Sequence, residues 1–295
     1  MSGNKVESAI RITKEKGFKQ LLIKSYAALV RPYLPTVGYK KRAKALNHQG
    51  VTVDMDEKFL DNIVPLNHPY NTETNIELGL RLAHTAVTQT GDHVVIIGGG
   101  NGISATTAAN QVGPNGKVSI YDGMTGEQHH RFGITHILKS LELNGVGDRC
   151  EAHHGLVGTK DDTVEMYSDY MEYDVPLIHP KDLPACDILE FDCNGMELTI
   201  LRNLDIRPRA MIIEVEAPFY KELYGGEENP RAAFEELDRL GYTIIQQFGH
   251  EGTTMSFEQL LDLIDREYET REKQQVNDGA KDSPIVIALR DDYVA

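Results

Sequence analysis

The sequence predicts an α/β fold in which helices cover both faces of a mostly parallel sheet, and three observations carry that prediction. Val94-Val95-Ile96-Ile97 is an unbroken β-branched run, the pattern of a strand buried on both faces. The glycine-rich turn Gly98-Gly99-Gly100-Asn101-Gly102 follows, and then the small-residue stretch Ser104–Asn110, which suits a helix lying close on a sheet. Val118-Ser119-Ile120-Tyr121-Asp122 is a second strand that closes on a carboxylate. Such a βαβ unit binds a nucleoside. Gly98, Gly100 and Gly102 carry no Cβ to keep the backbone from a ligand, and an acid at the second strand's end reaches the ribose hydroxyls.

The other elements follow in order. Residues 4–31 read as a helix that ends before Pro32 and Pro35, where ring sterics oppose continuation. Residues 36–72 are loop-rich, with a short strand at Val51-Thr52-Val53 and a helix at Glu57–Ile63. A helix over Thr74–Thr88 leads through Gly91-Asp92 into the first strand. Another over His129–Asn144 precedes the third strand, Cys150–His154, and Lys160–Asp174 is an acidic insertion without a clear period. Strand four is Ile188–Asp192, followed by the helix Leu198–Leu204, and strand five is Ala210–Val215. A helix at Arg231–Leu240 precedes strand six, Tyr242–Phe248. Ser256 opens a capped, charged helix, and Pro284–Leu289 is strand seven. The domain organisation expected is a basic, helical and loop-rich extension over 1–73 and a sheet domain over 74–295.

The glycine spacing narrows the nucleoside. A dinucleotide fingerprint needs a third glycine at position 103, which is Ile103. The chain satisfies G-x-G-x-G instead, a spacing that resembles S-adenosylmethionine (AdoMet) methyltransferases. Gly113-Pro114-Asn115-Gly116-Lys117-Val118 lacks the spacing and the Ser/Thr of a phosphate-cradling loop. On this reading Gly98, Gly100 and Gly102 bring backbone near the methionine moiety, Asn101 contacts its amino or carboxylate group, and Asp122 holds the ribose. Leu156 or Val157, after strand three, packs on the adenine or else belongs to an ordinary strand-to-loop turn.

The run Ala185-Cys186-Asp187-Ile188-Leu189-Glu190-Phe191-Asp192-Cys193-Asn194-Gly195-Met196-Glu197-Leu198 resembles the signature of the FkbM-type methyltransferases, D-hh-K-h-D-h-E-G-x-E running into a helix. Asp187, Asp192, Gly195 and Glu197 match, whereas Glu190 stands for the usual Lys and Asn194 for the usual Glu. Arg207–Glu216 is similar to the family's fifth strand, and the resemblance covers roughly residues 90–250. It implies a Rossmann-like class I methyltransferase fold with seven strands in the order 3-2-1-4-5-7-6, the seventh antiparallel. It also implies AdoMet as cofactor and methylation of hydroxyls, often on sugars or glycan-derived metabolites.

In an open parallel sheet, ligands lie beyond the carboxyl ends of the strands. Asp122, Asp192, Asn194, Glu214 and Glu216 are the polar residues expected there. Asp192 is the leading catalytic candidate, as general base toward an acceptor hydroxyl or as its orienter. Asn194 would bind the acceptor through its amide. Glu214 and Glu216 point to opposite faces of a regular strand, so one at most should join Asp192, and Glu216 completes the candidate set. Glu197 either stabilises its helix start or serves function. No resident metal is expected, although Asp192, Asn194 and Glu216 are hard oxygen donors of the kind that hold Mg²⁺ with a substrate diol. His129-His130, His153-His154 and His250 show no zinc spacing.

Composition sets the remaining limits. Residues 1–48 hold eleven Lys/Arg against two Glu, while the rest of the 295-residue chain holds nineteen against forty-three Asp/Glu. The acidic body repels a phosphate backbone, which argues against a nucleic-acid substrate and for a small-molecule or glycan acceptor. The basic segment places Ile10, Phe18, Leu21, Leu22, Ala28 and Leu29 on one side, interrupted by Arg11 and Lys14. It can lie on anionic lipid, dock to an acidic partner, or rest as a solvated helix on the acidic domain. Cys150, Cys186 and Cys193 read as reduced core thiols, and with no apolar run of membrane-span length and no signal peptide the expected location is cytoplasmic. Two other functions stay open: a non-catalytic module of AdoMet-binding fold, suggested by Glu190 and Asn194, and an NAD-binding oxidoreductase.

Overall fold

The computed structural model describes residues 45–48, 51–54, 77–123, 133–159, 175–249, 252–270 and 283–294, all within the compact unit Lys44–Ala295. The helices expected over 4–31 and 57–63, the insertion at 160–174, His129-His130 and His250 lie outside them.

Eleven strands are described, and seven form the central sheet. They are β1 (Ala45–His48), β2 (Val51–Asp54), β3 (His93–Ile97), β4 (Lys117–Asp122), β5 (Cys150–His154), β6 (Leu156–Val157), β7 (Leu177–Ile178), β8 (Ile188–Phe191), β9 (Ala210–Glu214), β10 (Tyr242–Phe248) and β11 (Ile285–Arg290). The helices are α1 (Leu78–Val87), α2 (Ile103–Val112), α3 (Ile134–Leu143), α4 (Glu197–Arg202), α5 (Ala217–Leu223), α6 (Arg231–Arg239) and α7 (Phe257–Thr270). The sheet runs β10-β11-β9-β8-β3-β4-β5, with β9, β8, β3, β4 and β5 parallel and β11 antiparallel to both neighbours. In the numbering of the sequence reading this is 3-2-1-4-5-7-6, the order expected.

Alternation along these strands feeds two cores, because successive side chains face opposite sides of a sheet. Val95, Ile97, Leu189, Phe191, Met211 and Ile213 face one way, with Ile200 and Leu201 of α4, Leu237 of α6 and Ile264 of α7. Val94, Ile96, Ile120, Ile188 and Ile212 face the other, with Leu80 of α1, Ala105 and Ala109 of α2, and Leu141 of α3. Ile103, at the position of the missing third glycine, is fully buried.

The sequence before residue 74 also contributes to this unit. β1 and β2 form an antiparallel hairpin whose Val51 and Val53 are buried. Asn144, at the end of α3, accepts the Thr52 N–H (2.9 Å) and donates to the Thr52 carbonyl (2.6 Å). Among the described residues, no helix is long and apolar enough to cross a membrane.

Register fixes what meets at the carboxyl edge. Ile97 pairs with Tyr121 and with Phe191, and Phe191 pairs with Ile213. The next residue on each strand is therefore Gly98, Asp122, Asp192 or Glu214, and these four stand in one row.

Candidate functional site

The glycine loop is the centre of the row. Gly98 (φ +88°), Gly100 (φ +51°) and Gly102 (φ +80°) occupy the left-handed region that favours glycine, but each for a different spatial reason. A Cβ on Gly98 would meet the Asp192 carbonyl oxygen at 1.7 Å, and one on Gly102 would meet α3 at Ile137 Cα, 3.2 Å away. At Gly100 it would meet only Glu77 Oε1, at 3.6 Å. Gly98 and Gly102 are thus small for packing, while Gly100 leaves its side of the loop open.

Asp122 braces this loop: its Oδ2 accepts the N–H groups of Gly99 (3.1 Å) and Gly100 (3.2 Å). Asn101 is buried, and its Oδ1 finds no hydrogen-bond partner among the described residues. A buried acceptor without a donor costs roughly 1–3 kcal/mol. The loop therefore offers an acceptor suited to an ammonium, an open approach at Gly100 and a carboxylate at the end of β4. That set fits the methionine and ribose parts of AdoMet.

After β5 the chain folds back onto β4, with the Gly155 N–H donating to the Asp122 carbonyl (3.0 Å). This brings Leu156 over the residue after Asp122, its Cδ2 2.4 Å from where a Cβ on Gly123 would lie. Leu156 stays partly exposed, whereas Val157 is buried in the core. His154 Nε2 bonds the Gly123 carbonyl (3.1 Å), and His153 stacks on Tyr121 with ring centroids 4.8 Å apart.

The acidic side corrects one expectation. Asp192, Glu214 and Glu216 each bring a carboxylate oxygen within 4.8 Å of the others, so both glutamates join Asp192 rather than one. The strand ends at Glu214, and Glu216 (φ −99°, ψ 72°) already turns into α5, so strand alternation does not reach it. Burial pushes the Asp192 carboxyl well above its usual range, and the charges of Glu214, Glu216, Glu77 and Glu190 push it further. Three acids at such distances cannot all ionise cheaply without a proton or a cation among them. They are the described side chains able to share one cation, but an acidic cluster by itself does not make a metal site.

Glu77 is the site residue that sequence reading missed. It precedes α1 in the left-handed conformation (φ 54°), facing Gly100 and acting on Asp192 through its charge. An acid near a helix start is ordinary in sequence, and nothing in the pattern marks it.

The two departures from the FkbM-like pattern have local accounts. Asn194 has φ 53° in the turn between β8 and α4, a conformation that Asn enters more readily than Glu. Glu190 is fully buried in the core against His84 and Ser104. Glu197 is also buried and its Oε1 accepts the Gly195 N–H (3.1 Å), so it closes the turn that starts its own helix. The three cysteines are free thiols, and burial pushes Cys150 and Cys186 up to about 12.

No family model and no curated protein sequence matches the chain. Solved structures similar to it include an O-methyltransferase from Bacillus cereus in complex with SAH, 13% identical with a TM-score of 0.40 over 80% of this chain and 96% of that one. The O-methyltransferase TomG from Streptomyces achromogenes, in complex with SAM, is 15% identical with a TM-score of 0.37 over 72% and 78%. Aeropyrum pernix fibrillarin, with natively bound S-adenosyl-L-methionine, is 14% identical with a TM-score of 0.39 over 81% and 88%. Likeness at this level concerns fold alone, and the reading of the site rests on its own geometry.

Proposed function

We propose that the protein is an AdoMet-dependent methyltransferase of the FkbM type that methylates a hydroxyl on a sugar, glycan or related small metabolite. The observation that carries this reading is the row at the carboxyl edge, in which the Asp122-braced glycine loop adjoins Asp192 through Gly98. When bound, AdoMet supplies an electrophilic methyl group on a sulfonium. The chain does the rest. Asn101 Oδ1 accepts from the ammonium, Asp122 holds the ribose hydroxyls, and Leu156 covers the adenine. Asp192 orients the acceptor hydroxyl and takes its proton, since a carboxylate with a raised pKa is the stronger base once ionised. Glu214 and Glu216 stand beside Asp192 at the acceptor side, and Asn194 donates to the acceptor. Alignment of acceptor and methyl group can lower the barrier by about 7–11 kcal/mol. The basic segment 1–48 is the part we assign to an anionic surface or acidic partner.

Isothermal titration with AdoMet and NAD⁺, each with and without Mg²⁺, tests the cofactor. Micromolar AdoMet affinity without NAD⁺ binding supports the proposal and leads to methyl-transfer assays on hydroxylated glycans. Absence of AdoMet binding sinks it.

A further inference from the structure

Glu190 and His84 form a fully buried pair, and neither has a binding or catalytic role in the reading above. One Glu190 oxygen meets His84 Nε2, on α1, and the other accepts from Ser104 Oγ, on α2, at 2.7 Å. The second imidazole nitrogen, Nδ1, lies 3.0 Å from Thr88 Oγ1, so both ring nitrogens are engaged. A buried carboxyl group is tolerated when its oxygens are hydrogen-bonded, and both oxygens of Glu190 are. The three elements joined here are those that carry the site. Ser104 lies two residues after Gly102, α1 begins beside Glu77, and Asp192 lies two residues beyond Glu190 on the same chain segment.

We propose that Glu190 is a positioning residue, paired with His84, that ties the first turn of α2 and the body of α1 to the end of β8 and so holds the glycine loop in its binding conformation. The departure at 190 is then an exchange of partners: an acid hydrogen-bonded within the core to an imidazole from α1 and a hydroxyl from α2. The inference rests on the cofactor reading for its consequence in binding, but the tether itself belongs to the free protein. Breaking it should loosen the loop locally while the sheet, held by its own two cores, stays closed.

The test is native-state hydrogen exchange on the free full-length protein, wild type against Ser104→Ala and Glu190→Gln. Ser104→Ala removes only the α2 arm of the tether, so it keeps the test decisive if Glu190→Gln fails to fold. Exchange at the amides of 99–104 should rise about tenfold or more while amides of 118–120 and 211–213 stay unchanged, since local opening is independent of global unfolding. AdoMet affinity of the same variants should fall in parallel. A rise spread evenly over loop and sheet, or none at the loop, overturns the proposal and leaves the pair a structural one. If wild type fails to bind AdoMet, the functional reading falls, yet the exchange comparison still decides the tether.

Discussion

A Cβ placed on Gly98 would lie 1.7 Å from the carbonyl oxygen of Asp192, so the first residue of the glycine loop is pressed onto the backbone that carries the candidate base. The two cannot move independently. Gly98→Ala meets both a left-handed φ and a backbone collision that no side chain can yield to. We expect it to destabilise the fold by at least about 2 kcal/mol. Gly100→Ala has only the conformational cost of about 1–2 kcal/mol, because its side of the loop is open. Thermal unfolding should therefore rank Gly98→Ala well below Gly100→Ala. Equal losses in Tm would mean that the close approach at Gly98 is not a constraint.

Asp122→Ala removes the acceptor for the Gly99 and Gly100 amides and leaves the loop without its brace. AdoMet affinity should fall about tenfold or more, as expected for losing charged hydrogen bonds. Titration calorimetry on a folded variant reads this directly, and an unchanged Kd would take Asp122 out of the cofactor site.

Asp192→Asn separates binding, chemistry and stability. Burial and then four neighbouring acids raise the folded pKa of Asp192, so the unfolded chain gives up this proton first as pH rises. The stability present in acid is therefore lost as pH climbs through the folded pKa. The asparagine variant escapes that loss: at pH 8 it should melt above wild type, and the gap should close toward pH 4. AdoMet binding should survive while kcat falls, because the role proposed for Asp192 is toward the acceptor. A variant that turns over normally would place the base elsewhere.

The sheet was legible because its inner strands β3, β8 and β9 are buried on both faces. Runs such as Val94–Ile97 and Ala210–Ile213 have no competing period, and the glycine turn marks where the first one ends. The row Gly98, Asp122, Asp192 and Glu214 was legible for the same reason: each follows the last apolar residue of its strand. The limit of one glutamate beside Asp192, which left Glu214 out of the candidate set, fails because strand alternation does not extend past Glu214, where the chain turns into α5. Glu190 shares a strand face with Ile188, and because β8 is buried on both faces its place inside the strand alone could have put it in the core. Its partner His84 could not have been named, since contact between residues 106 apart is a product of topology. Leu156 was placed by its order in the chain, but its half-exposed position depends on the return over β4 that the sequence does not mark.

Glu197 gives a second pH signature, distinct from the chemistry. Burial pushes its carboxyl from an ordinary 4.5 up to about 7, against the opposing pull of the backbone amides and the side chains it meets. Below 4.5 both folded and unfolded chains hold the proton, and stability is unaffected. Between 4.5 and about 7 the unfolded chain releases it first, so stability falls as pH rises through that window. Above it the full loss, on the order of 3 kcal/mol, is in place. Glu197→Gln keeps the size and an oxygen for the Gly195 N–H but removes the titration. Denaturant unfolding at pH 5 and pH 8 should show wild type losing more stability across that interval than the glutamine variant. Because Asp192 titrates in both proteins, the difference between the two curves isolates Glu197. Parallel curves would mean that Glu197 keeps a single protonation state throughout.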